Sequence, residues 1–160
     1  MFYILSLQLL EYISDDDKSV ADLGSGAGFP GLILACAMAD KPGASVTLVE
    51  KSPRKSEFLR AVGKELALPV KVLTIRLEDY PGTRFDVVTA RALAPLPKLL
   101  GYAADWLKPS GKALLMKGRD TAAELAEAQE AWTFDLSTLD SLSSPEGRVL
   151  KVSSLRSRRV

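Results

Sequence analysis

The chain has 160 residues, a formal net charge of +1, and 47% hydrophobic against 26% charged residues. That length fits one domain over residues 1–160, and near-neutrality excludes any argument for a polyanionic partner from bulk charge, leaving only local basic patches. One cysteine and no histidine exclude an internal disulfide framework, a Cys/His zinc site and a Ser-His-Asp triad; a lone thiol fits a reducing, cytoplasmic compartment.

The opening "MFYILSLQLLEYI" is apolar but interrupted by Gln8 and Glu11, and too short to span ~30 Å of hydrocarbon. It lacks the basic start and small-residue cleavage site of a signal peptide, and is expected to form a buried helix. Residues 19–23 read as a short buried strand after the acidic turn "SDDDK". A glycine loop follows, and Pro30 opens a helix to about Ala39. "KPG" turns the chain into a second strand, "ASVTLVE", ending at Glu50. Ser52 and Pro53 then start a helix with Phe58, Leu59, Val62 and Leu66 at helical spacing. Strands are expected at 70–75, 85–90 and 112–116, with a helix at 97–107 and the turn "KPSG" between the last two strands. "DTAAELAEAQEAW" reads as an amphipathic helix, and strands near 133–139 and 148–153 as an antiparallel edge. This alternation predicts an open, mostly parallel sheet with helices on both faces, which binds ligands at the carboxyl ends of its strands.

The loop "DLGSGAGFPG" contains G-x-G-x-x-G as Gly26, Gly28 and Gly31. In a dinucleotide fingerprint the first glycine follows the strand directly; here the strand ends at Leu23, and an extra "GS" intervenes. The Walker pattern fails because no Gly-Lys-Ser/Thr follows. The better description is Asp22, then Gly24, Gly26 and Gly28 at alternate positions. That arrangement resembles the first motif of Rossmann-like, class I S-adenosylmethionine-dependent methyltransferases. The resemblance implies a mostly parallel seven-stranded sheet and a cofactor without phosphate, beside which an acid is tolerable. Asp22 either organises the loop or receives the cofactor's ammonium through water. Glu50, at a strand end, suits a ribose diol, which NAD and S-adenosylmethionine both carry. In "RLED", Glu78 with the Leu77 backbone occupies the place from which such domains reach the adenine amino group.

Taken together, "DLGSGAGFPGL", "RLED", "FDVVTARALAPL" and "LLMKG" resemble the bacterial small-subunit (16S) ribosomal RNA guanine-N7 methyltransferase family, from about Ser6 to the end of the chain. The resemblance implies cofactor contacts at Gly24, Phe29, Leu77, Glu78 and Arg91, with Glu50 on the ribose and Asp22, Gly26 and Gly28 in the loop. It places Lys117 near an RNA-facing edge. Arg91, at a strand end, could pair with a carboxylate or an RNA phosphate, and Arg156, Arg158 and Arg159 could track phosphates. The implied partner is 16S ribosomal RNA or the small ribosomal subunit, with no DNA and no membrane. No metal and no catalytic side chain are expected, because guanine N7 is nucleophilic without losing a proton and positioning supplies much of the rate. Amino-directed enzymes show an Asn/Asp-Pro-Pro-aromatic run where this chain has "ARALAP". Cytosine-C5 enzymes need a cysteine nucleophile, whereas Cys36 is expected in the core of the first loop's helix.

Members of this family carry a helical segment before the first strand, with an Arg-His…Asp-Ser element. Here Phe2 and Leu5 stand where its histidine and aspartate fall, so residues 1–17 read as a remnant of that segment. Loss of the remainder would expose apolar surface and bears on RNA recognition and turnover. The alternatives are a methyltransferase for a small molecule or protein, and a non-catalytic cofactor- or RNA-binding form. An NAD-dependent oxidoreductase comes last.

Overall fold

The computed structural model describes residues 2–80, 82–91, 93–118, 121–142 and 144–159, with side chains described from residue 4 onward. Ala92 and the Asp120 start of the expected late helix lie outside the described residues. The elements run α1 (Phe2–Gln8), a 3-10 turn (Leu9–Tyr12), β1 (Ser19–Leu23), α2 (Gly31–Met38), β2 (Ser45–Val49), α3 (Pro53–Glu65), β3 (Val70–Leu73), β4 (Phe85–Arg91), α4 (Leu96–Trp106), β5 (Leu107–Lys117), α5 (Thr121–Ala131), β6 (Trp132–Asp140) and β7 (Arg148–Ser157). All seven strands join one sheet in the order β3-β2-β1-β4-β5-β7-β6. The first five are parallel; β7 is antiparallel to both β5 and β6. This is the open, mostly parallel sheet expected from the alternation, with the seven strands that the resemblance implies.

Period-2 side chains divide the core between the two faces of the sheet. Val20 of β1 and Val87 of β4 pack with Leu34, Leu48 and Leu59 on one face. Ala21, Leu23, Val88 and Ala90 pack with Leu96, Leu99 and Trp106 on the other. Because β1 and β4 are covered on both sides, they read as continuous apolar runs, as interior parallel strands must. The chain reverses its strand order between β1 and β4, and the crevice opening there at the carboxyl edge positions the site.

Several expectations need correction. Cys36 is exposed, not a core thiol: α2 buries Leu34, Ala35 and Met38, and the helical period turns residue 36 outward. On α3, Leu59 is fully buried, but Phe58 and Leu66 are 52% and 57% exposed, so the inward stripe is narrower than the apolar spacing suggested. Ser52 does cap α3, accepting from the Lys55 N–H at 3.4 Å. The "KPSG" segment continues β5 instead of forming a separate turn, and β7 extends to Ser157. In the opening helix Ser6 and Gln8 are buried while Ile4 and Leu7 are exposed, so only one face is covered. Gln8 is held at the end of β6: its Nε2 donates to the Asp140 carbonyl at 2.8 Å and its Oε1 accepts from the Leu142 N–H at 3.2 Å. No described helix is long and apolar enough to cross a membrane.

Candidate functional site

The chain leaves β1 through three glycines with positive φ, Gly24 at 68°, Gly26 at 57° and Gly28 at 97°. Side chains rarely adopt that left-handed region, which is why the alternation needs glycine. The requirement is sharpest at Gly28, where an added Cβ would lie 2.3 Å from Leu32 Cδ1 and 2.7 Å from its Cγ. Gly26 differs, because nothing lies closer than 3.5 Å to its added Cβ, and that contact is Arg91 Nη2. Gly26 therefore presents open backbone to the crevice.

Two carboxylates hold this loop from opposite sides. Asp22 is 1% exposed. Its Oδ2 accepts from Ser25 Oγ at 2.7 Å and the Gly31 N–H at 3.1 Å, and its Oδ1 accepts from Thr89 Oγ1 at 2.9 Å. Burial pushes its carboxyl from 3.8 up to about 6, opposed by those three hydrogen bonds and the Arg91 charge. Glu50 follows β2 and is buried; its Oε2 accepts from the Gly26 N–H at 2.8 Å and its Oε1 from the Ser52 N–H at 3.0 Å. The Ser25 N–H donates to the Val49 carbonyl at 2.9 Å, tying the loop to β2.

A cavity of about 670 Å³ opens between these strand ends. Six of the expected residues line it: Gly24, Gly26, Glu50, Leu77, Glu78 and Arg91. Asp22, Gly28 and Phe29 are not among its lining residues; Asp22 and Gly28 shape the loop from behind. Sequence reasoning missed Tyr102 and Lys98, one helical turn apart on α4. The Tyr102 hydroxyl donates to Glu78 Oε1 at 2.7 Å, which holds the Glu78 carboxylate below its ordinary range. Arg76 Nε lies 3.7 Å from Glu78 Oε2. It also missed Thr89, although a threonine inside the apolar strand "FDVVTAR" is itself a signal, since a buried hydroxyl needs a partner.

Lys117, which the resemblance placed near an RNA-facing edge, is turned into the fold. It is 8% exposed, donates to the Ala94 carbonyl at 3.0 Å, and pairs with Glu124 Oε2 at 2.8 Å. That same oxygen accepts from the Leu96 N–H at 3.0 Å, so α5 supplies the cap for α4. The pair thus holds Ala94, which borders the cavity, and the first residue of α4. Lys117→Met leaves Glu124 with a lost partner in a partly buried place. We expect a loss of about 2 kcal/mol in urea unfolding, with Lys117→Arg recovering part of it.

The C-terminal arginines lie at the other edge of the sheet. In β7, Arg148 pairs with Lys117 and Ser153 with Lys112, so the chain beyond Ser153 runs toward the amino end of β5. There Arg156 borders a separate hollow with Leu107 and Lys108. Among the described residues, no group of acidic or cysteine side chains is arranged to hold a metal ion.

Comparison with known proteins adds to this geometry. A family profile described as rRNA small subunit methyltransferase G matches residues 3–149. The chain is 45% identical over 150 residues to "Ribosomal RNA small subunit methyltransferase G" of Caulobacter vibrioides, covering 94% of this chain and 68% of that one. Against the protein of the same name from Paracoccus denitrificans it is 43% identical over 152 residues, covering 94% and 77%. Among solved structures, an S-adenosylmethionine-dependent methyltransferase from Aquifex aeolicus superposes with TM-score 0.71 at 15% identity, covering 94% of this chain and 90% of that one. Coclaurine N-methyltransferase does so with TM-score 0.68 at 19% identity, covering 85% and 50%. At those identities the structural likeness concerns the fold.

Proposed function

The chain belongs to the rRNA small subunit methyltransferase G family, and from that premise we propose that it transfers the methyl group of S-adenosylmethionine to N7 of a guanine in small-subunit ribosomal RNA. The observation that carries this reading is the convergence of the open Gly26 backbone and the Glu50 carboxylate on one cavity of about 670 Å³. That volume falls within the range of pockets that enclose a cofactor-sized ligand.

The residues present fit the group. Each Glu50 oxygen accepts one backbone N–H, and a carboxylate offers about four acceptor sites. Two therefore remain for a ribose diol. Gly24 and Gly26 let the ligand approach the backbone, and Glu78 and the Leu77 backbone stand where an adenine edge would end. Asp22 keeps the loop in shape from behind, a role its three buried hydrogen bonds support better than direct contact with an ammonium. When bound, S-adenosylmethionine supplies a methyl group on a positively charged sulfur.

The protein's own task is then to position. Guanine N7 offers an in-plane lone pair, so no side chain has to take a proton before transfer, and a chain without histidine lacks nothing for it. Holding the base at the mouth of the cavity, in line and shielded from water, accounts for the acceleration. Arg91 and Ala94, the latter held by Lys117, border that mouth.

The test is incubation with S-adenosylmethionine and small subunits from cells lacking the endogenous enzyme, followed by nucleoside analysis of the RNA. N7-methylguanine is the expected product. Methyl incorporation into protein, or none by a chain that binds the cofactor, would refute the substrate assignment.

A further inference from the structure

The whole chain balances 21 lysines and arginines against 20 acids, yet the cavity does not share that balance. Its described lining holds Lys51, Lys55, Arg76, Arg91 and Lys98 against only Glu50 and Glu78. S-adenosylmethionine carries one carboxylate, one ammonium and one sulfonium, so its net charge at neutral pH is positive. An excess of cations around a cationic ligand raises the cost of binding it, so they answer to something else.

Their placement indicates what. The sheet order sets Arg76 after β3 and Lys51 and Lys55 after β2, all on one side of the glycine loop; Lys98, in the first turn of α4, lies on the other. Lys51, Lys55 and Lys98 are exposed, and none takes part in the ion pairs found among the described residues. Arg76 is paired only at 3.7 Å with Glu78, with 68% of its side chain exposed. Cations thus stand on both banks of the cavity.

We propose that Lys51, Lys55 and Arg76 on one bank and Lys98 on the other bind backbone phosphates on the two sides of the target nucleotide, so that a single RNA strand crosses the cavity mouth between α3 and α4. This rests on the RNA methyltransferase reading above and adds where and how the strand is held. Phosphate contacts fix register without reading sequence. The arginines at the far edge of the sheet, Arg156 and Arg159, take no part.

The experiment measures binding of small-subunit RNA from cells lacking the endogenous enzyme across a salt series. It uses the wild-type chain, Lys51→Gln/Lys55→Gln/Lys98→Gln, and Arg156→Gln/Arg159→Gln. Titration with S-adenosylmethionine and thermal melting accompany each. For single strands log K falls by about 0.7 per phosphate for each decade of salt. The triple variant should lower the salt slope by about 2 and weaken RNA binding about tenfold or more at low salt. Its cofactor affinity should not fall, because none of the three side chains bonds the glycine loop or Glu50 and their loss takes positive charge away from a cationic ligand. The far-edge variant should match the wild type. An unchanged slope in the rim variant, with wild type still methylating RNA, overturns this proposal alone, as does a slope lost only at the far edge. Wild type that binds the cofactor but no RNA overturns the substrate reading and this one with it. The single Lys98→Gln variant, expected to lower the slope by about 0.7, decides the matter should the triple variant melt early.

Discussion

Replacing Glu50 by alanine will weaken S-adenosylmethionine binding by about a hundredfold or more. Two hydroxyl donors on one carboxylate contribute about 1.5–3 kcal/mol each, and both are lost together. The same substitution releases the Gly26 and Ser52 N–H groups, so the loop facing the ligand loses its anchor as well. Glutamine will not rescue the site. Both carboxylate oxygens accept a backbone N–H, so an amide must turn its own NH2 toward one of those donors. Calorimetric titration checks both variants, with melting temperature without ligand as the control for folding. Cofactor binding by Glu50→Ala within about threefold of the wild type would remove Glu50 from the site.

The second large effect is on stability. Asp22→Ala strands the Ser25 and Thr89 hydroxyls and the Gly31 N–H in a buried place. With about 1–3 kcal/mol for each buried group left without a partner, a loss of about 3 kcal/mol or more is expected in urea unfolding. Hydroxyls that rotate to new partners keep it from the full sum. Asp22→Asn separates shape from charge. Folding raises the Asp22 carboxyl to about 6 from 3.8, so below about pH 4 both states hold the proton and the contribution is fully present. As pH rises through 6 the folded chain must give that proton up, and the contribution is lost, by up to about 3 kcal/mol. Asparagine carries no such proton. The stability of the wild type relative to Asp22→Asn should therefore fall between pH 4 and 6 and stay level above about 7. A difference that is flat, or that rises with pH, would contradict the assignment. The buried hydroxyls can turn to suit an amide, so Asp22→Asn should fold where Asp22→Ala is marginal.

These two acids also mark how far the sequence could be read. Asp22 and Glu50 were legible because strand ends are visible in the apolar runs, and the carboxyl ends of parallel strands form the ligand edge. Which of the two faces the cavity was not legible, because it depends on Thr89, 67 positions away on a neighbouring strand. Lys117 shows the same limit. In sequence it is a lysine after a strand, and only the approach of Glu124 from α5 turns it inward. Lys98 and Tyr102 escaped because the start of α4 projects into the crevice only once β4 has been placed beside β1. Cys36, Phe58 and Leu66 fail for a local reason: apolar spacing locates a helix, but the width of its covered stripe is set by what packs on it. The mostly parallel sheet and its antiparallel edge were readable, since strands alternating with helices require parallel pairing and the two last strands follow each other without a crossover helix.

The central claim is that the loop from Asp22 to Gly31 and the cavity beside Glu50 hold S-adenosylmethionine. Calorimetric titration of the whole chain with S-adenosylmethionine and with NAD, in parallel at one salt concentration, tests it most directly. Saturable one-to-one binding of S-adenosylmethionine with no comparable response to NAD is the predicted result. Saturable binding of NAD with no heat from S-adenosylmethionine would contradict it.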